Sequence, residues 1–404
     1  MELPCKLPLL LDGATGTQLM AAGMPADACP EQWALEHPQV VLDLQRRYIL
    51  AGCDVLYAPT FGANRARLAP FGLEGRVRAL NRDLVALSRA AADACPKSRC
   101  LVAGTLSPTG RQSPSPAEAP FDEWVAIFAE QAAALADAGA DLLVCETMTS
   151  LGEARAALLA ARQTGKPVIV TLTVDREGET LSGARLLPAV ITLQALGAAA
   201  VGLNCSFGPA GMEEPLAQAL PHAAVPLAAK PSAMAPDGGN LSPLQFGQAM
   251  ERLLDAGASV VGGCCGTSPE HLAVLRGVVD GHPTVAPREI DFDACAVESE
   301  AFFLADDLEY GAPLPCDSDL ADRLIEAEEE GNVALVELVQ PGDLDCLLEF
   351  GGMSRLPVMV RTDRARLLDE ALRRFPGRLL VDSLCEMERP LLEEIAARYG
   401  AVVF

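Results

Sequence analysis

No stretch of about 20 uncharged apolar residues occurs in this 404-residue chain, which argues against a membrane span. Near the N-terminus, Glu2 and Lys6 stand around a short apolar run with no cleavage signal, which argues against secretion. Positive charge is scarce: 31 Lys and Arg face 55 Asp and Glu, for a formal net charge of -24. Such a surface disfavours nucleic acid and anionic membranes as partners. The acidity is uneven, with 26 acids against 10 bases from Asp291 onward and 29 against 21 before it. Cysteine is not scarce. Thirteen are scattered through the chain, an odd number with no framework spacing, as expected of a reduced, cytoplasmic protein.

Apolar, β-branched runs alternate with helical segments over the first 280 or so residues. Strands are expected near Leu9–Leu11, Asp54–Phe61, Leu101–Ser107, Asp141–Glu146, Pro167–Val174, Ala199–Cys205, Pro226–Pro231 and Ser259–Cys264. Segments such as Phe121–Ala138 and Leu151–Gln163 carry helical periodicity between them. Glycines at 52, 139 and 257 stand where a helix closes in a left-handed turn before the next strand. Eight such units predict an α/β fold of the (β/α)8 TIM-barrel class, with a doubly wound open sheet as the alternative.

A barrel places its active site at the C-terminal ends of its strands. Asp12 follows the first expected strand, Thr60 and Asn64 the second, and Glu146 ends the fourth. Asn204 and Cys205 end the sixth, Lys230 the seventh, and Cys264 and Cys265 the eighth. Cys145, one residue before Glu146, should face the opposite way into the core.

Cys205, Cys264 and Cys265 form a three-thiol set. Three protein ligands leave one tetrahedral position open, the arrangement of a catalytic zinc site, and all-sulfur ligation favours zinc over magnesium or calcium. Neighbours on a regular strand point to opposite faces, so Cys264 and Cys265 need a left-handed or bulged backbone, which the flanking Gly262, Gly263 and Gly266 permit. The alternative is a pair of small core residues. Glu146 and Asp12 have structural alternatives as a salt bridge across the mouth and a turn cap, and Asn204 as a loop brace. A Schiff-base aldolase using Lys230 would leave the cysteines unexplained.

These residues carry a resemblance. LLLDGATGTQL, GCDVLYAPTFGANR, CETM, VGLNCSFGP and VVGGCCGTSPEH are similar, in order, to the homocysteine S-methyltransferase family over residues 1 to about 285. The resemblance implies a (β/α)8 barrel and zinc on Cys205, Cys264 and Cys265. It places Glu146 and Asp12, the catalytic acids, near the homocysteine amino group. The Gly13, Ala14 and Thr15 backbone would help hold the amino acid, with Thr60, Asn64, Asn204 and Lys230 also lining the substrate. Where relatives often read Lys/Glu-Pro-Asn-Ala-Gly, this chain has Lys230-Pro231-Ser232-Ala233-Met234.

The expected organisation is a barrel over 1–287, a linker over 288–319 whose acidic, irregular stretch Asp291–Asp319 also holds an edge element, and a smaller α/β half-barrel-like domain over 320–404. The last part should hold a helix at Leu320–Glu330 and strands near Val333–Val339, Pro357–Arg361, Arg378–Asp382 and Ala401–Phe404. From Leu356 on it resembles the early half of a pterin-binding barrel in scaffold but not in site, and no Asp-x-His-x-x-Gly cobalamin motif occurs. A half barrel exposes strand edges, so it should pack on the first domain, on a second copy to give a homo-oligomer, or on a partner.

The expected activity is zinc-dependent methylation of homocysteine, bound as a zinc thiolate, to methionine. The donor expected first is a methylated corrinoid on a partner protein, then S-methylmethionine. The alternative is a non-catalytic homocysteine- or zinc-binding module, or a scaffold for a corrinoid methyl-transfer complex.

Overall fold

A computed structural model describes residues 2–95, 100–111, 113, 115–283, 290, 293–304 and 307–404. The boundary expected at residues 287–288 lies outside these residues. The first unit is a nearly closed barrel of eight parallel strands: β1 Leu9–Leu10, β2 Val55–Tyr57, β3 Leu101–Leu106, β4 Leu142–Met148, β5 Val168–Leu172, β6 Ala200–Cys205, β7 Leu227–Pro231 and β8 Ala258–Val261. The strands pair in the order β1-β8-β7-β6-β5-β4-β3-β2, and a Leu11–Val55 bridge joins the two ends. This is the expected barrel, and the open doubly wound alternative is excluded.

Alternation along the strands sorts the core into two layers. Leu9, Val55, Ala103, Leu142, Val144, Ile169, Ala200, Ala228 and Val260 fill the barrel interior. Leu10, Leu56, Val102, Leu143, Cys145, Val170, Leu203 and Val261 face the helical ring. Cys145 is fully buried there, and burial pushes its thiol up to about 12, so it is a core residue and not a ligand. The same alternation turns Tyr57, Glu146, Asn204 and Lys230 inward at the strand tops. Gly52, Gly139 and Gly257 close their helices with φ of 97°, 89° and 104°, as expected.

A second sheet follows, all parallel and in sequence order: β11 Leu314–Pro315, β12 Ala334–Glu337, β13 Val358–Arg361, β14 Leu380–Val381 and β15 Val402–Val403. Its outer face carries the helices Leu320–Glu326, Pro341–Phe350, Ala365–Arg374 and Arg389–Tyr399. Its other face holds Val333, Leu335, Met359 and Leu380, which in a full barrel would meet opposing strands. Here the segment expected as a linker supplies the cover. An antiparallel hairpin, β9 Ala294–Ala296 and β10 Ala301–Phe303, adds Cys295 and Phe302, and Leu304, Leu308 and Tyr310 complete the layer. The acidic composition of 291–319 masks these few apolar residues in the sequence.

The second sheet and its helices pack on the barrel. Arg155, fully buried on the helix Leu151–Ala161, donates from Nη2 to the Leu372 carbonyl at 2.7 Å. Arg162 donates to the Arg398 carbonyl at 2.6 Å, and Arg373 pairs with Asp122 at 2.5 Å. Ile191 of a barrel helix meets Ala294 and Ala296 of the hairpin in a small apolar cluster. No helix among the described residues is long and apolar enough to cross a membrane.

Candidate metal and thiol site

The sulfur-bearing loops are built on the end of β7. Cys264 N–H donates to the Pro231 carbonyl at 2.8 Å, and Ala233 N–H to the Cys265 carbonyl at 2.8 Å. Ser232 donates from its backbone N–H and its Oγ to the Cys205 carbonyl, both at 3.2 Å, and its Oγ lies 3.6 Å from Cys205 Sγ. Thr267 knits this platform to the first strand. Its Oγ1 donates to the Cys264 carbonyl at 2.8 Å and accepts from Ala14 N–H at 3.0 Å.

The backbone achieves the cysteine cluster differently from the sequence expectation. β8 ends at Val261, so Cys264 and Cys265 lie in the following turn, free of strand alternation. Only Gly266 of the flanking glycines is left-handed, at φ 80°. Gly262 serves close approach instead: a Cβ there would sit 2.9 Å from the Asp12 carbonyl oxygen. The other left-handed turn falls on Cys205 and Ser206 themselves, at φ 56° and 45°. Strand alternation would aim Cys205 outward; this turn brings its sulfur back over the barrel.

The three Sγ atoms lie within 4.8 Å of one another, with Cys205 and Cys265 3.8 Å apart. A tetrahedral metal with metal–sulfur bonds near 2.3 Å has ligand–ligand edges of about 3.8 Å, so the cluster fits such an ion. Hydrogen bonds from Cys264 and Cys265 hold the Cys205 thiol far below its ordinary range, and those same bonds to Cys205 push the other two up. A cation held among the three sulfurs would deprotonate all of them.

Beside the sulfurs lies a buried charge cluster. Asp12 Oδ2 accepts from Tyr57 N–H at 2.8 Å, while its buried Oδ1 has no hydrogen-bond partner and sits 3.8 Å from Lys230 Nζ. Lys230 also lies 4.6 Å from the centre of the Tyr57 ring. Burial pushes both Asp12 and Glu146 up to about 7, against the pull of Lys230. Burial pulls Lys230 down, but Glu146, Asp12, Cys264 and Cys265 together outweigh it and leave the ammonium above its usual range. A cavity with an orphaned carboxylate oxygen and a second carboxyl suits a ligand that brings a cation.

Glu146 is aimed by an irregularity in β4, whose register to β5 shifts between Cys145 and Met148. Thr147 takes φ 60°, an outlier for a β-branched residue. Asn204 holds it there: Oδ1 accepts from Thr147 N–H and Thr171 Oγ1, both at 2.8 Å, and Nδ2 donates to Thr147 Oγ1 at 2.7 Å.

The structure therefore brings together Cys205, Cys264, Cys265, Asp12, Glu146 and Lys230. Other expected substrate residues have some of their polar groups engaged within the protein. Asn204 braces Thr147. Thr60 Oγ1 exchanges bonds with Thr105 across β3, and Asn64 Oδ1 caps the helix Arg65–Leu68. Ala14 N–H is taken by Thr267, its carbonyl accepts from Tyr48 Oη at 2.7 Å, and the Thr15 carbonyl accepts from Leu19 N–H. A Cβ on Gly13 would lie 2.7 Å from the Tyr48 ring, so packing explains that glycine. The residues not singled out from sequence are Tyr57, Thr147, Ser232 and Thr267. Alternation along β2 exposes Tyr57, and Thr267 ends the glycine-cysteine run; the role of Thr147 depends on the distant Asn204.

The comparisons agree with this geometry. A profile of the homocysteine S-methyltransferase family matches residues 9–279. Methionine synthases of Mycobacterium leprae and Mycobacterium tuberculosis are each 32% identical over 289 residues, covering 66% of this chain. That match spans only 24% of the length of those curated relatives. Among solved structures, the metallated form of the homocysteine methyltransferase MmuM from Escherichia coli superposes with a TM-score of 0.57 and 26% identity, over 67% of this chain and 95% of MmuM. Its oxidised form gives 0.58 with the same identity and coverage.

Proposed function

The chain belongs to the homocysteine S-methyltransferase family, and from that premise we propose that it transfers a methyl group to the thiol of homocysteine, forming methionine. The observation that carries the reading is the sulfur triangle, with its 3.8 Å edge between Cys205 and Cys265, beside Asp12 and Glu146. Cys205, Cys264 and Cys265 would hold zinc, the ion such a soft, three-ligand set favours. When bound, zinc supplies an open position and the Lewis acidity that removes a thiol proton at neutral pH.

The protein's own groups do the rest. The orphaned Asp12 Oδ1 and the Glu146 carboxyl face the homocysteine ammonium through charge-assisted hydrogen bonds. Lys230, held between the two acids, keeps them from repelling each other before the ligand enters. Asn204 fixes the Thr147 turn and so the aim of Glu146. The homocysteine sulfur then attacks the donor's methyl carbon. The new S–C bond forms as the methyl–donor bond breaks, and that bond's electron pair leaves with the donor.

A methylated corrinoid on a partner protein and S-methylmethionine are the two donors the family resemblance supports. The likeness of residues 320–404 to part of a pterin-binding scaffold favours the corrinoid branch. That unit is not proposed to bind a pterin, because Asp382, at the end of β14, is already paired with Arg361. The thirteen scattered cysteines suit a reduced, cytoplasmic setting.

The test is methionine formation from homocysteine by zinc-loaded, reduced protein, with methylcobalamin and S-methylmethionine run side by side. Turnover with either supports the reading and names the donor class. A protein that binds zinc and homocysteine but turns over with neither donor, nor with a methylated corrinoid protein, is a binding module and the proposal is wrong.

A further inference from the structure

The barrel mouth is walled in part by the C-terminal unit. A cavity of about 590 Å3 lies between them, lined by Ser107, Thr147, Ser150 and Ser182 from barrel loops and by Glu298 and Arg374 from beyond the barrel. Glu298 sits in the turn of the β9–β10 hairpin. Its Oε1 accepts from Ser182 Oγ at 2.8 Å, and its backbone carbonyl accepts from Arg185 N–H at 3.1 Å. Its carboxylate also faces the backbone N–H of Leu151, the first residue of the helix Leu151–Ala161. Burial pushes this carboxyl up to about 7, and the bond from Ser182 and the aligned peptide dipoles at the helix N-terminus pull the other way, toward the charged form.

These contacts join two loops. Ser182 and Arg185 follow β5, and Arg185 caps the helix Leu186–Ala195. Leu151 follows the β4 turn that carries Glu146 and Thr147, and Ser182 N–H donates to the Thr149 carbonyl at 3.3 Å. The left-handed Thr147 persists only if its surroundings over-determine it. Asn204 restrains it from inside the barrel. Glu298 restrains the far end of the same turn from outside.

We infer that Glu298 is a positioning residue for the homocysteine site, through which the C-terminal unit fixes the loop that aims Glu146. The inference rests on the proposed function for its substrate, but the clamp itself is a property of the loops. Removing the carboxylate leaves Ser182 Oγ, whose own N–H holds the Thr149 carbonyl, without its partner and lets the turn relax.

The experiment uses the full zinc-loaded chain and compares Glu298→Ala, Glu298→Gln and Ser182→Ala by homocysteine calorimetry, kcat and KM, and amide hydrogen exchange. Glu298→Ala should weaken homocysteine binding about three- to tenfold, the worth of one or two lost hydrogen bonds. It should raise KM more than it lowers kcat. Exchange should speed up at 147–153 and 181–186 and stay unchanged at 264–267. Glu298→Gln, which keeps an oxygen for Ser182, should recover most of the binding, and Ser182→Ala should reproduce part of the loss. Unchanged binding and exchange in Glu298→Ala would overturn the inference, as would faster exchange everywhere with unchanged affinity. Should the unaltered chain not bind homocysteine, the proposed function fails, and the exchange arm alone decides the clamp.

Discussion

The two parallel sheets of this molecule both end in acidic residues, and they treat those acids in opposite ways. At the barrel mouth, Asp12 keeps one oxygen without a hydrogen bond, with Lys230 at 3.8 Å. In the C-terminal sheet, Asp382 is joined directly to Arg361 and also accepts from Leu384 N–H. Asp343 takes the N–H groups of Val339 and Gln340, and Asp363 takes that of Glu386. One sheet keeps polar capacity for a ligand, and the other uses it to hold itself together. Among the described residues, the three non-glycine residues with left-handed backbone, Thr147, Cys205 and Ser206, also lie at the barrel mouth. Strain and unmet charge mark the same place.

The comparison can be broken first at the sulfurs. Cys264→Ser should remove most bound zinc and take methionine formation to background, read by metal analysis and a methionine assay. Full activity in that variant would end the metal mechanism. Next come the acids. Asp12→Asn or Glu146→Gln should raise the homocysteine KM about 10- to 100-fold, the range of a charge-assisted hydrogen bond. Asp382→Asn should do the reverse of both: lower stability by about 1–3 kcal/mol, because a half-buried Arg361 loses its anion, and leave KM alone. Denaturant melts and kinetics on the same preparations separate the two behaviours. A KM change in Asp382→Asn would show that the C-terminal sheet touches the site.

A pH series sharpens the contrast. Asp12 and Glu146 are raised by burial from ordinary values of 3.8 and 4.5 to about 7. Homocysteine affinity should therefore fall as pH drops below about 7, by about tenfold per unit for each carboxylate the ammonium needs. Stability of the ligand-free protein should move the other way. Between those ordinary values and about 7 the fold retains protons that the unfolded chain releases, so the contribution of these groups to stability falls as pH rises through that window. A stability that climbs with pH there would contradict the assignment. The smallest effect belongs to Ser232→Ala. Losing its hydroxyl bond to the Cys205 carbonyl should weaken metal binding less than about tenfold, measured by competition with a chelator.

Much of this was legible in the sequence. Each of the eight barrel strands starts within a residue or two of its expected position, because buried parallel strands are written as apolar runs closed by glycine. Inward positions could be counted from alternation, which is why Glu146 and Cys145 separate correctly. What alternation could not give is the partner of each side chain. Thr60 and Asn64 stand at a strand top, where only the fold shows that Thr105 and a local helix N-terminus engage them. A left-handed turn was expected at the glycines beside Cys264 and Cys265 and occurs at Gly266, while a second one, not expected, falls on Cys205, where two bonds from Ser232 hold it. The hairpin at 294–303 was legible only as an edge element within the linker, because its apolar residues are few and find partners on a sheet farther along the chain.

The close sulfur pair also dictates how the protein must be handled. Cys205 and Cys265 stand one short side-chain movement from a covalent S–S bond, and the Cys205 thiol is held below its ordinary range by its sulfur neighbours. Stored in air without its metal, the chain should lose two electrons and two protons to dioxygen here before its buried thiols react. A titration would then find two fewer thiols than the thirteen of the fresh chain. A bound metal would thus act as a preservative, and a simple colour test for thiols reports how much of a preparation is still fit for assay.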